Sequence, residues 1–391
     1  MKTLLNLLIV LLGTYQAIAA DGQPVKIGAN SSLPRFTTDH KGNPVLSWVE
    51  KKGDEIALYY SVSTDAGKTF GQKNRVLVPA NTATHAEGMP KIAFKADGTV
   101  FALIEVRRPT EDAPRAGDVL FTTSSDNGKT WSATKPVHRD ASPGKGHSFA
   151  DIAQLPNGEI GIIWLDDKLA SFDGRPVKFV QTLPGGGFSP EMVVDSNACQ
   201  CCRTSITADQ EGRIHLAWRD LLADGARDMS YAVSADGGKS FTAPRTILRD
   251  NWKINACPHS GIQLVPSKKA LLATWYSGVD KKAGIRLMNL TENKLIENLS
   301  VAAMKHPQLS VLPNNKLALI WDEFVGEGPE AYQKIGLRVY DGSGNAKTSY
   351  LTPNGKTATL PAILTTNQGL VVAYEQHDDT NSQVVVTTVG L

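Results

Sequence analysis

Cys199, Cys201, Cys202 and Cys257 are the four cysteines of a 391-residue chain, and three of them fall within four consecutive positions. With His85, His147, His259 and His306 they offer thiolate and imidazole donors, the combination that suits copper or zinc. Met89, four residues after His85, adds a soft thioether. No paired C-x-x-C motif is present, so a metal site would need ligands converging from separate parts of the chain. No C-x-x-C-H motif is present either, which leaves haem attachment without a basis. The competing chemistry is oxidation: an even number of cysteines in an oxidising compartment suggests a disulfide, here Cys257 tied to Cys199, Cys201 or Cys202. Cys201 and Cys202 are adjacent and could bridge each other only with strain. The two readings can coexist.

These residues hold one phase of a repeat. A short apolar strand, a Gly- or Asn-containing turn and a second strand ending in a large residue recur seven times. The copies run Phe36 to Trp48, Ile92 to Ile104, Ile152 to Trp164, Ile206 to Trp218, Ile262 to Trp275, Leu309 to Trp321 and Ile363 to Tyr374. Five of the seven tryptophans share one position in this unit, which marks it as structural. Three to seven residues before the first anchor of each copy lie all four cysteines and the four histidines named above. That window covers about 35 of 391 positions, where chance would place about one of the twelve cysteines and histidines.

A second motif follows three copies, at Ser63–Phe70, Ser124–Trp131 and Ser234–Phe241, with the pattern S-x-D-x-G-K-[ST]-[FW]. Its Asp accepts backbone N–H groups within a turn, its Gly supplies backbone freedom and its aromatic residue holds the turn down. These Asp boxes speak for fold rather than catalysis. Alternating strands with a period near fifty residues predict an all-β fold, a β-propeller, with seven blades counted and six as the alternative. The last repeat lacks a fourth strand, which the segment from Pro24 to Gly28 could supply.

In a propeller the strand entering each blade lines the axial channel, so the cysteine and histidine window opens on one face. The ends of the second strands should reach that face too. They read Glu105-Val106-Arg107-Arg108, Asp166-Asp167, Arg219-Asp220, Tyr276, Asp322-Glu323 and Tyr374-Glu375. A polar mouth of this kind is a ligand site for a metal, a small molecule or a glycan.

The bulk composition bounds the partners. A 41% hydrophobic and 20% charged chain is an ordinary globular sequence, and a net charge of +2 without a basic, aromatic-rich cluster argues against nucleic acid. Met1-Lys2-Thr3, the apolar run from Leu4 to Leu12 and Ala17-Ile18-Ala19-Ala20 form a signal-peptide pattern over residues 1–20. The run is shorter than the ~20 residues that span a bilayer. The expectation is a secreted or periplasmic protein with no membrane span in its mature form, folded as a single propeller domain over residues 21–391. Oligomeric state is not legible.

The run Gly98-Thr99-Val100-Phe101-Ala102-Leu103-Ile104-Glu105-Val106-Arg107, then Gly117-Asp118-Val119-Leu120 and the Asp box at Ser124, resembles an early blade of sialidases. That resemblance implies a six-bladed or related propeller and a glycoside hydrolase in which arginines clamp a substrate carboxylate. On it, Arg107 and Arg219 would be clamp residues, Asp112 or Asp118 the acid, and Arg286 a third clamp. Tyr374 and Glu375 would match the family's late Tyr-Glu pair. The chain departs from the pattern where Gly88-Met89-Pro90 replaces an R-I-P motif and where Thr359-Leu360-Pro361 replaces the nucleophilic Tyr. Cys201-Cys202-Arg203-Thr204 replaces the usual Glu, leaving Arg35 and Arg203 as further substrate-binding candidates. The chain also resembles secreted Asp-box propellers with C-x-C-C in one blade and Cys-Pro in the next, here Cys199 to Cys202 and Cys257-Pro258-His259. The resulting expectation is a sialidase-like propeller that is not an ordinary sialidase and binds copper, zinc or a small acidic ligand. A sialidase-like hydrolase and a protein-interaction scaffold are the alternatives.

Overall fold

The alternating apolar segments form antiparallel strands that hydrogen-bond into seven four-stranded sheets in the computed structural model. It describes residues 23–378 and 381–390, so the signal-peptide pattern over 1–20 lies outside the described residues. Numbered in chain order, blades 1 to 6 take residues 31–76, 91–136, 148–198, 205–248, 262–299 and 304–350. Blade 7 joins the two ends of the chain. Its three C-terminal strands, within residues 358–389, accept Val25–Ile27 as their outermost partner, with Val25 opposite Val386 and Ile27 opposite Val384. The fourth strand expected from the Pro24 to Gly28 segment is therefore present, and the blade count is seven.

The hydrophobic core lies between neighbouring blades. Phe101 and Leu103 of blade 2 meet Ile152, Ile162 and Trp164 of blade 3, and Leu46 and Trp48 of blade 1 meet Val371 and Ala373 of blade 7. The recurrent tryptophans Trp164, Trp218 and Trp321 are fully buried. Full burial of a large apolar side chain is worth roughly 1.5–3 kcal/mol, and each indole also finds a carboxylate for its N–H. Trp48 donates to Glu50 and Trp164 to Asp166, both at 2.8 Å.

The Asp boxes hold turns at the blade edges. In the first, Asp65 accepts the Thr69 N–H at 2.9 Å and the Thr69 hydroxyl at 2.6 Å, while Ser63 accepts the Gly67 N–H at 2.7 Å. Gly67 has φ +89°, and a Cβ there would sit 2.3 Å from Val371 of blade 7. Glycine is needed both for the left-handed backbone and for close docking on the neighbouring blade. The same bonds recur at Asp126 and Asp236. None of these three aspartates lines the axial cavity.

A backbone irregularity shapes the channel. The residue three before the first anchor is left-handed in five blades: Leu33, Phe149, His259, His306 and Leu360 have φ between +45° and +57°. At four of these, all but His259, the strand register shifts. Such bulges turn side chains and unpaired N–H groups out of the ladder, here toward the preceding blade.

Candidate functional site

The axial cavity encloses about 710 Å³ and is walled by His85, Glu87, Glu105, Arg107, Arg115, His147, Phe149, Arg175, Cys201, Cys257, His259 and His306, among others. Six of the eight expected metal-binding residues therefore line it or its rim. Cys199 and Cys202 lie directly behind Cys201, buried with it.

The sulfur atoms of Cys199, Cys201 and Cys202 lie within 4.8 Å of one another, and so do donor atoms of Cys201, Cys257 and His259. Cys201 belongs to both groups. It comes from the segment entering blade 4, whereas Cys257 and His259 come from the segment entering blade 5; the positive φ of His259 turns that second segment at the cavity. All four thiols are free. Tetrahedral zinc with Zn–S bonds of about 2.3 Å sets its sulfurs about 3.8 Å apart, a spacing compatible with each group of three taken by itself. Hydrogen bonds from Cys201 and Cys202 lower the Cys199 pKa, and the Arg227 guanidinium 3.1 Å from its sulfur adds to the effect. Burial pushes Cys202 up, and the shared hydrogen bonds push Cys201 up. Thiolate is the ligand form of cysteine, and Cys199 is the one of the three whose surroundings favour it.

The remaining expected ligands stand apart from this group. His85 is exposed at the rim; its Nδ1 accepts the Gly88 N–H at 3.2 Å and its ring meets Phe149 edge-on. His306 pairs through Nδ1 with Asp322 at 2.7 Å. His147 joins a different cluster, with His138 and Asp118. Met89 is buried in the core between blades 1 and 2.

Burial disfavours charge on His306, but Asp322 more than offsets it and raises the imidazole pKa above its ordinary 6.5, with Glu87 assisting and Arg203 opposing. A group with a raised folded pKa stabilises fully below its unfolded pKa and loses that contribution as pH rises through the folded value. The denaturation midpoint lost in His306→Gln should therefore be largest on the acid side of pH 6.5 and shrink in alkaline buffer. A loss independent of pH would contradict this pairing.

A model of the BNR repeat-like domain matches residues 39–305, about two thirds of the sequence. The chain belongs to this BNR repeat-like family. No curated protein matches it in sequence. Among solved structures, a Dyadobacter fermentans protein of unknown function is similar at 14% identity and a TM-score of 0.51, covering 96% of this chain and 99% of that one. A Trypanosoma rangeli sialidase in complex with sialic acid is similar at 10% identity and a TM-score of 0.51. That match covers 95% of this chain and 60% of the sialidase, so this BNR propeller spans less than two thirds of its length. At such identities the likeness concerns fold.

The arginines of the sialidase comparison do not converge in this BNR protein. Arg107 lines the cavity. Arg219 is buried, donating to the carbonyl oxygens of Ser260, Tyr276 and Arg227 at 2.8–3.2 Å. Arg286 is also buried, bound to Asp250, Asn298 and the Lys282 carbonyl. Arg35 pairs with Asp151 and Arg203 with Glu87, both beside a smaller hollow deeper in the channel. Asp112 is exposed outside the cavity, and Asp118 is buried against Arg108. Tyr374 sits in the core of blades 6 and 7.

Glu375 accepts the Leu33 N–H at 2.6 Å. Glu105 and Asp322 do the same for Ala150 and Leu360 at 2.8 and 2.9 Å. Together with Arg219 they occupy one position, the residue after each second anchor, and each reaches the entry segment of the next blade. They are blade-to-blade ties. The residues that sequence reasoning passed over are His138, Glu87 and Arg175. Arg175 is part of the cavity wall and is held by the carbonyls of Gly146, Leu165 and Asp166.

Proposed function

We propose that this BNR propeller is exported and binds a soft transition metal, copper(I) or zinc, at the rim of its axial cavity. Cys199, Cys201, Cys202, Cys257 and His259 would hold the ion. The observation that carries this reading is the overlap of two donor groups on Cys201, from segments that enter different blades. Thiolate with imidazole favours copper(I) or zinc over magnesium and calcium, which take oxygen ligands. Arg227 beside Cys199 would offset the negative charge of a multi-thiolate site.

The cavity gives the site a second capability. Its volume suits a small ligand, and Arg107 and Arg115 on its wall favour an acidic one. A small anion could then approach the metal from the cavity side. A carboxylate clamp of the sialidase kind lacks support, because Arg219 and Arg286 are committed to protein acceptors.

Untagged protein purified under reducing, anaerobic conditions should retain or take up about one equivalent of copper(I) or zinc at this site, measured by elemental mass spectrometry, and its thiols should become unreactive when metal is bound. Four reactive thiols and no bound metal after incubation with either ion would overturn the proposal.

A further inference from the structure

A second cluster lies where blades 2 and 3 meet. The backbone brings it together: His147 N–H donates to the Gly117 carbonyl at 2.9 Å, and Gly117 N–H donates to the Lys145 carbonyl at 3.0 Å. This places His147 beside Asp118, while the segment after Lys135–Pro136 delivers His138 to the same spot. The two imidazoles stack with centroids 3.5 Å apart. Both histidines are at least 97% buried, with exposures of 3% and 1%.

Their hydrogen bonding does not close. His138 Nδ1 lies 2.9 Å from the Asp140 carbonyl oxygen, which can only accept, so Nδ1 carries the proton. In the neutral ring Nε2 is then a bare lone pair, and it faces another acceptor, Asp118 Oδ1, at 3.3 Å. His147 Nδ1 lies 3.3 Å from Asp166 Oδ2 without hydrogen-bond geometry, and its Nε2 has no protein partner. Unpaired buried polar atoms cost roughly 1–3 kcal/mol each. Protonating His138 would turn its Nε2 into a donor to Asp118, but it would set a cation against the neighbouring ring and still leave His147 Nε2 without a partner. A shared metal ion would answer it once one ring turns out of the 11° stack, so that both lone pairs aim at the ion.

We propose that His138, His147 and Asp118 form a second metal site, for a zinc-like divalent cation, distinct from the sulfur cluster. Two imidazoles and one carboxylate are a recognised ligand set for divalent first-row ions. The surroundings have the form such sites take, because a ligating histidine usually donates its other N–H to a carbonyl and a ligating carboxylate is itself held by a donor. Asp140 serves His138 in this way, and Arg108 holds Asp118 through a 2.9 Å bond while also donating to the Ala141 and Ser142 carbonyls. His147 borders the same cavity as Cys201 and Cys257, so ions of different hardness would face one space. The proposal does not depend on the sulfur site.

Cobalt(II) titration of reduced, untagged protein separates the two. The His/Asp site should add an equivalent with ligand-field absorption and no thiolate-to-cobalt charge-transfer band. His138→Gln and His147→Gln should weaken that equivalent by more than about 100-fold, while any charge-transfer band stays. Cys201→Ser should do the opposite. Circular dichroism and melting without metal would establish that each variant folds. Full retention of the thiolate-free equivalent in both histidine variants would overturn the proposal, as would its absence from wild-type protein. Loss of the charge-transfer band alone would bear only on the sulfur site.

Discussion

Cys201→Ser is expected to lose more than about 100-fold in affinity for copper(I) or zinc, the largest effect of any single change at the cavity rim. Removing a supporting group around a metal typically costs 10–100-fold, and Cys201 is a ligand common to both donor groups. Cys257→Ser should cost less, because Cys199, Cys201 and Cys202 stay together on one segment. Serine is close to cysteine in size and leaves a hydroxyl in the buried Cys199/Cys202 pocket, a penalty of roughly 1–3 kcal/mol without a new partner. The fold should survive that. A competition titration against a chelator of known affinity checks both variants, and equal loss from Cys201→Ser and Cys257→Ser would contradict the shared-ligand geometry.

Arg219→Met should destabilise the protein by about 3–5 kcal/mol, because three carbonyls lose their donor at roughly 1–3 kcal/mol each. The guanidinium is 1% exposed and joins blade 4 to blade 5 through the Ser260 and Tyr276 carbonyls. Methionine fills part of the volume but leaves those acceptors unpaired in the interior. The ring of Trp252, 4.8 Å from the guanidinium carbon, loses a cation over its face as well. Urea denaturation followed by tryptophan fluorescence measures the loss. A change under about 1 kcal/mol would mean that Arg219 is not a structural tie and would return it to the list of ligand-binding residues.

The architecture was legible because a propeller repeats its physics. Every blade must bury the same faces against its neighbours, so tryptophans recur at one phase and Asp boxes recur at the outer turns. The N-terminal strand was readable for a related reason: a last blade with three strands leaves a ladder edge to be filled, and Val25–Ile27 alone remained to fill it. The sulfur group was legible as well, since the entry segments of blades 4 and 5 are neighbours on the axis and their cysteines share a phase.

The ends of the second strands misled for a physical reason. Glu105, Arg219, Asp322 and Glu375 each bond to the next blade, where backbone groups left out of the ladder need partners. Charged residues in a single repeat phase satisfy that need, and their common phase was the available signal. His138 gave no signal at all. It lies outside the entry window, and only the pairing of Gly117 with the 145–147 segment brings it against His147 and Asp118. Contacts between the tail of one blade and the entry of the next depend on loop paths that a repeat pattern does not encode.

X-ray absorption at the metal edge of reduced, untagged, metal-loaded protein probes the cavity chemistry most directly. Sulfur scatterers at about 2.3 Å with a nitrogen contribution, lost in Cys201→Ser, are the expected result; an ion surrounded only by oxygen and nitrogen in the wild-type protein would contradict it.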